Sequence, residues 1–251
     1  MSANAITHWL ESHGLLLCAF RCSDLPSSVA EPIENTLSST FSHSALTSSA
    51  LLVLLANAGP RFWRRLQIES AKNLSNPVDT FSVEKAREFQ HTFLRDSRFT
   101  QLYPTPAGQS PIPLMRLGRL AGWNIPSPLG LGLHPDYGPW SAYRAAWLTD
   151  SAQLPEAFYK EPQTVNITTI DTLQQSAELC VSCTAPCVEA CPADAVTHGE
   201  DFNIPRCYDY SEPEDSPCHA HCFARTACPI GADHQYDKAQ LTHHMIMRWR
   251  T

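Results

Sequence analysis

The chain predicts an α+β protein in two parts, an α/β domain over residues 1–165 and a cysteine-rich module over residues 166–251 that ends in a helix. Three observations lead there. Residues 50–56, A-L-L-V-L-L-A, form a continuous apolar run of strand length closed by N-A-G-P, the pattern of a central strand covered on both faces. Residues 82–96 place Val83, Ala86, Phe89, Phe93 and Leu94 on one helical face. Finally, eight of the ten cysteines fall between positions 180 and 228, a density that ordinary core packing does not use.

With 251 residues the chain is long enough for one full core and a small appended module. Ten cysteines in a short secreted chain would read as a disulfide framework. Here the start, M-S-A-N-A-I-T-H-W-L, has neither a basic segment nor an apolar stretch that would mark it for export, so a reducing cytoplasm is the expected compartment. The run at 50–56 falls far short of the roughly 20 residues that span a bilayer, and no membrane partner is expected. A net charge of -7 argues against general affinity for nucleic-acid backbones. Arg61, Arg64 and Arg65 in R-F-W-R-R read as a solvated helix face.

Ile6, Trp9 and Leu10 have helical spacing, and Gly14 supplies the C-cap. Residues 15–20 read as a buried strand. Residues 23–49 are rich in Ser, Thr and Pro and read as loop with a short helix at 33–37. Gly59 turns the chain after the central strand, and Pro60 opens a helix over 61–70. Ser82 has the chemistry of an N-cap, with Glu84 in the first turn. Residues 98–103 read as a strand, and eight prolines then punctuate 104–139, leaving room for a helix only at 114–123. Ordered loops of that length line pockets, which makes 103–140 the expected pocket wall. A strand or short helix follows at 141–148. Composition changes over 149–162, where the domain boundary is expected.

The run C-V-S-C-T-A-P-C-V-E-A-C-P places Cys180, Cys183, Cys187 and Cys191 one residue off the bacterial ferredoxin spacing, in which the fourth cysteine serves the other of two clusters. The partner set is Cys207, Cys218, Cys222 and Cys228, the last again followed by proline. By that crossing rule one [4Fe-4S] cluster takes Cys180, Cys183, Cys187 and Cys228, and a second takes Cys191, Cys207, Cys218 and Cys222. Residues 166–251 thus read as a two-cluster ferredoxin-like domain, with Cys191 leading into a short strand at 192–196. Thiolates are soft ligands that suit such clusters and zinc alike. Two four-thiolate zinc sites are the competing reading of the same count, and the paired Cys-Pro endings favour clusters. His219 and His221 beside these ligands read as hydrogen-bonding groups. Cys18 and Cys22 read as buried free thiols. Asp79 and Asp136 are loop acids suited to proton transfer, with turn or cap chemistry the commoner role for such residues.

Several pieces together resemble the epoxyqueuosine reductase family, cobalamin-dependent iron-sulfur enzymes akin to reductive dehalogenases. They are A-G-W at 121–123, Y-G-P-W at 137–140, W-L-T-D with L-P over 147–155, the four-cysteine run, and R-C-Y-D-Y at 206–210. The resemblance covers about the C-terminal half of the chain. It implies a nitroreductase-like fold for the first domain and a corrinoid as the acceptor of electrons from the clusters. The family carries a catalytic aspartate before A-G-W, where this chain has G-Q-S-P-I at 108–112, and its helical repeats for tRNA are not recognisable here. A true epoxyqueuosine reductase and a tRNA partner are therefore not expected.

The expected function is an iron-sulfur oxidoreductase that passes single electrons through two [4Fe-4S] clusters. The acceptor would be a corrinoid, a flavin or another small molecule held by the first domain, and the donor a ferredoxin or flavodoxin. The alternatives are a non-catalytic ferredoxin-like carrier that serves another enzyme and a zinc-stabilised interaction protein.

Overall fold

The computed structural model describes residues 2–38, 49–69, 76–95, 97–150, 153–160, 179–180, 182–198 and 201–247. It divides into two compact units, Met1–Ala121 with Ala142–Thr164, and Gly122–Ser141 with Val165–Thr251. The boundary expected at 165/166 lies outside the described residues. The proline-rich stretch read as one pocket wall is split, since residues 122–141 belong with the cysteine-rich unit.

The first unit begins with α1 (Ala3–His13), which buries Ile6 and Leu10 and ends at Gly14 in a left-handed conformation, φ 66°. Strand β1 (Leu15–Arg21) pairs antiparallel with β2 (Leu51–Ala58), from Leu15 opposite Asn57 to Arg21 opposite Leu51. β3 (Thr100–Tyr103) and β4 (Ser141–Thr149) form a second antiparallel pair, and the sheet runs in the order β1-β2-β4-β3. The chain is therefore α+β. β2 is interior and buried from Leu51 through Asn57, which accounts for its unbroken apolar run.

Helix α2 (Ser27–Ser38) is longer than the short helix expected at 33–37. Val29, Ile33 and Leu37 recur every four residues and are all buried, so the face was present in the sequence, with Pro32 obscuring it. A proline inside a helix frees the carbonyl four residues back. That carbonyl belongs to Ser28, and it accepts a 2.8 Å hydrogen bond from the Arg116 guanidinium instead.

Helices α3 (Arg61–Glu69) and α4 (Pro77–Phe93) carry Phe62, Trp63, Leu66, Phe81, Ala86 and Phe89 into a core shared with Leu10, Val53 and Trp147. α4 begins a turn earlier than its expected cap. Pro77 occupies the first turn, and the Ser82 hydroxyl bonds back to the Val78 carbonyl at 2.7 Å. Asp79 consequently sits in the first turn of α4, not in a loop, a position the helix dipole favours. Helix α5 (Leu114–Leu120) is shorter than the span expected.

The second unit contains α6 (Pro186–Glu189), α7 (Ile204–Ser211), α8 (Phe223–Ala227) and α9 (Lys238–Met247). In place of the expected short strand, residues 192–193 form a turn and 194–197 no regular element, with Asp194 in the left-handed region at φ 48°. Asn203 caps α7 by accepting from the Arg206 amide at 3.0 Å. One apolar cluster in this unit joins Leu129, Leu133, Val196 and Ala224 to the cysteines, and a smaller one gathers Trp140, Tyr236 and Leu241.

Candidate metal centre

All ten cysteines are free thiols. Those of the second unit are set by short helices and tight turns. The Cys183 amide donates to the Cys180 carbonyl at 3.2 Å, and Ala185, at φ 51°, turns the chain so that its amide donates to the Cys183 Sγ at 3.4 Å. Pro186 then starts α6, which carries Cys187 in its first turn. Cys191 follows the helix, with its amide on the Val188 carbonyl. Cys222 and Cys228 flank α8, which packs against α6.

The electrostatic neighbours of these thiols fall into two sets. Burial raises the Cys180 thiol, and Cys228, Cys183 and Cys187 raise it further. Burial and then Cys228 raise Cys187, with Cys183 adding to them against two backbone hydrogen bonds. Cys228 is raised by burial and by Cys183, opposed by the Ile230 amide. Cys222, also raised by burial, feels Cys207 and Cys191 against the lowering effect of Arg225. Cys218 is buried, and its amide donates to the Ser216 hydroxyl at 3.2 Å.

Among the described residues, no three His, Cys, Asp or Glu side chains converge closely enough to hold a metal ion as they stand. The donor chemistry nonetheless suits a sulfur-loving centre. Cys180, Cys187, Cys191, Cys222 and Cys228 lie among Leu129, Leu133, Ala185, Val196 and Ala224, and Cys183 Sγ accepts a backbone N–H, a contact common around metal-bound sulfur.

The flanking histidines are occupied. His219 Nδ1 lies 3.0 Å from the Glu212 carbonyl, and His221 Nε2 lies 3.2 Å from the Thr226 hydroxyl. Burial, with Lys238 nearby, pushes the His221 pKa down. In the first unit Cys18 and Cys22 are buried; burial raises both thiols, that of Cys22 to about 12, which suits core packing and leaves little thiolate. The Asp136 carboxylate is exposed, 3.9 Å from His134 Nδ1.

Sequence reasoning missed the residues that seat the cysteine-bearing segments. Leu129 and Leu133, from the proline-rich stretch, pack on Cys187 and Cys228. The Y-G-P-W segment holds the chain around Cys228. A Cβ on Gly138 would lie 2.1 Å from the Ile230 carbonyl oxygen, and one on Gly231 would lie 2.3 Å from the Tyr137 backbone. Arg225 reaches the Pro139 carbonyl while its guanidinium lies over Trp140 and Tyr236. The signal available was the pairing of bare glycines and a large aromatic with a lone arginine between Cys222 and Cys228, which no local pattern connects.

No protein-family model and no curated protein matches the chain. Among solved structures, a B12-trafficking CblC protein of C. elegans, a homologue of human MMACHC, aligns over 97% of this chain and 91% of its own, at 13% identity and TM-score 0.47. The catabolic reductive dehalogenase NpRdhA, in complex with 3-bromo-4-hydroxybenzoic acid, aligns over 78% of this chain at 15% identity and TM-score 0.44, and this chain spans 28% of its length. Likenesses this distant do not bear on activity. What the chain itself defines is an α+β protein with a second unit organised around free thiols. Among the described residues, no helix is long and apolar enough to cross a membrane.

Proposed function

We propose that this chain is an iron-sulfur redox protein that holds two [4Fe-4S] clusters in its second unit and serves an acceptor held by the first. The carrying observation is the division of the thiols into neighbours, Cys180, Cys183, Cys187 and Cys228 in one set, and Cys191, Cys207 and Cys222 in the other. With Cys218 added to the second set, each has the four thiolates that a cubane requires. Such clusters supply one-electron transfer at potentials tuned by hydrogen bonds to sulfur and by burial. The chain's part is to exclude water with Leu129, Leu133 and Val196, to donate the Ala185 N–H to Cys183, and to fix the Cys228 segment through Arg225.

The acceptor is a small redox cofactor, of which a corrinoid is the one the motif resemblance implies; the donor is a small carrier such as a ferredoxin or flavodoxin. Anaerobic reconstitution should give a broad brown absorbance and about eight irons with matching sulfide per chain. Stoichiometric zinc without acid-labile sulfide would overturn the proposal. Titration with cob(II)alamin should shift the corrinoid spectrum. If it stays unchanged for cobalamin and flavin alike, the protein is a carrier for another enzyme.

A further inference from the structure

Among the described residues, most of the large apolar side chains left exposed belong to the second unit. Three stand on α7, where Ile204 is 59% exposed, Tyr208 44% and Tyr210 37%. Ile204 and Tyr208 are four residues apart, so they lie about 40° apart around the helix and share one face. Leu131, 40% exposed, joins them at the helix start. Its neighbour Gly130 lies against Phe202, where an added Cβ would come within 2.8 Å of the phenylalanine side chain. Single exposed apolar residues are ordinary, but a group of them rimmed by polar residues marks a contact surface.

The rim here is of one sign. Residues 201–215 carry Asp201, Asp209, Glu212, Glu214 and Asp215, all exposed, against Arg206 alone. Among the described residues none of the five acids is in an ion pair, and Arg206 is already engaged by Asp194 at 3.3 Å. That sign decides between occupants. A second copy docked face to face would set acid against acid, and a nucleic acid or an anionic lipid surface would be repelled in the same way. A protein with a basic rim around an apolar centre matches both features, since an interface combines an apolar core with a polar rim.

We propose that this α7 face is the docking surface for a protein partner whose own contact face is basic around an apolar centre. The partner seats on Ile204, Tyr208 and Leu131, beside Cys207 on the same helix, and the acids steer its approach. The docking stands independently of the cluster reading and uses residues of the second unit alone.

Isothermal titration of the full chain at low ionic strength tests it, with cytochrome c, a small protein whose apolar haem edge is ringed by lysines, as the probe and acidic flavodoxin as the comparison. Saturable binding of cytochrome c and none of flavodoxin is expected, weakening as salt is added. General attraction to a chain of net charge -7 would give the same salt dependence, so the variants decide. Tyr208→Ser changes no charge and should weaken binding about tenfold, the scale of one apolar anchor. Ile204→Ser is a second such variant at a more exposed position, should the first disturb folding. Asp209→Asn with Glu212→Gln should weaken binding more than Glu31→Gln with Glu84→Gln, which removes as much charge from exposed sites in the first unit. No saturable binding of cytochrome c, unchanged affinity in a folded apolar variant, or equal weakening by the two acid pairs would overturn the proposal. Self-association of the chain that Tyr208→Ser abolishes would overturn it too, by assigning the face to a second copy.

Discussion

Arg225 lies between Trp140 and Tyr236, 5.0 Å from one ring and 4.8 Å from the other, and donates to the Pro139 carbonyl. One side chain thus ties the segment between Cys222 and Cys228 to the end of the proline-rich stretch. Substitution by leucine would remove two cation-ring contacts and a charge-assisted hydrogen bond, an expected cost of about 2–3 kcal/mol. Lysine would keep the charge and lose the fork, and should fall between leucine and the native protein. Denaturant unfolding of the three proteins checks the order.

The Gly138 contact carries a second prediction, with an internal control. Gly138 and Gly122 both have positive φ, 53° and 73°, so alanine strains the backbone at either site. At Gly122 the added Cβ would meet nothing within 4 Å, whereas at Gly138 it would strike the Ile230 carbonyl. Gly122→Ala should cost about 1 kcal/mol, the conformational term alone. Gly138→Ala should cost at least about 2 kcal/mol more and disturb the chain after Cys228. Equal unfolding midpoints for the two variants would show that the close approach contributes nothing.

Much of the first unit was legible because its elements obey one periodicity each. β1, β2 and α1 announce themselves by apolar runs and by Gly14, and α4 by its repeating aromatics. Where local rules misled, a distant group had intervened. Pro32 masked α2 because the compensating donor, Arg116, lies far along the chain. Ser82 looked like a cap because serine bonds backbone carbonyls inside a helix as readily as amides at its start. The cysteines stood out in the sequence as candidate ligands by their spacing, but what holds their segments, Arg225 on Pro139 and Gly138 beneath Ile230, depends on tertiary contacts that carry no spacing rule.

Gln90 is the polar hub of the first unit. It accepts from the Trp147 indole at 2.9 Å and donates to the Thr149 hydroxyl at 3.0 Å, besides its three carbonyl contacts. Gln90→Leu would leave the buried indole N–H and those carbonyls without their partner, at an expected cost of about 3 kcal/mol. Gln90→Glu would keep the acceptor but bring a charge into the core and lose the donors, and should be at least as damaging. Thermal unfolding of both variants decides the matter, and a melting temperature unchanged by either would contradict the hub assignment.

Glu88 makes stability depend on pH in a definite direction. Burial alone would raise its pKa; hydrogen bonds from Lys85 at 2.7 Å and the Trp9 indole at 3.1 Å, with the nearby charge of Lys85, outweigh that and hold it below 4.5. The folded protein therefore releases this proton more readily than the unfolded chain. The resulting stability is present above the ordinary carboxylate value and is lost as pH falls through the lower folded one. Glu88→Gln should flatten the fall of the urea midpoint on acidification below about pH 4.5. An acid slope identical to that of the parent protein would mean that Glu88 is not a source of it.

The crossing of ligands gives the most discriminating test of the proposed clusters. Cys191 is close in sequence to Cys187, yet the thiol that feels it is Cys222, while Cys187 feels Cys228. If clusters form on these sets, Cys191→Ser should damage the one shared with Cys207 and Cys222 and spare the one built on Cys180. In the reconstituted variant, iron should fall from about eight toward about four per chain, and one of two reduced-cluster EPR signals should disappear. Cys228→Ser should remove the other signal. The two single variants then leave complementary spectra, whereas ligation in sequence order would have Cys191→Ser abolish the signal that depends on Cys180, which would refute the crossed arrangement.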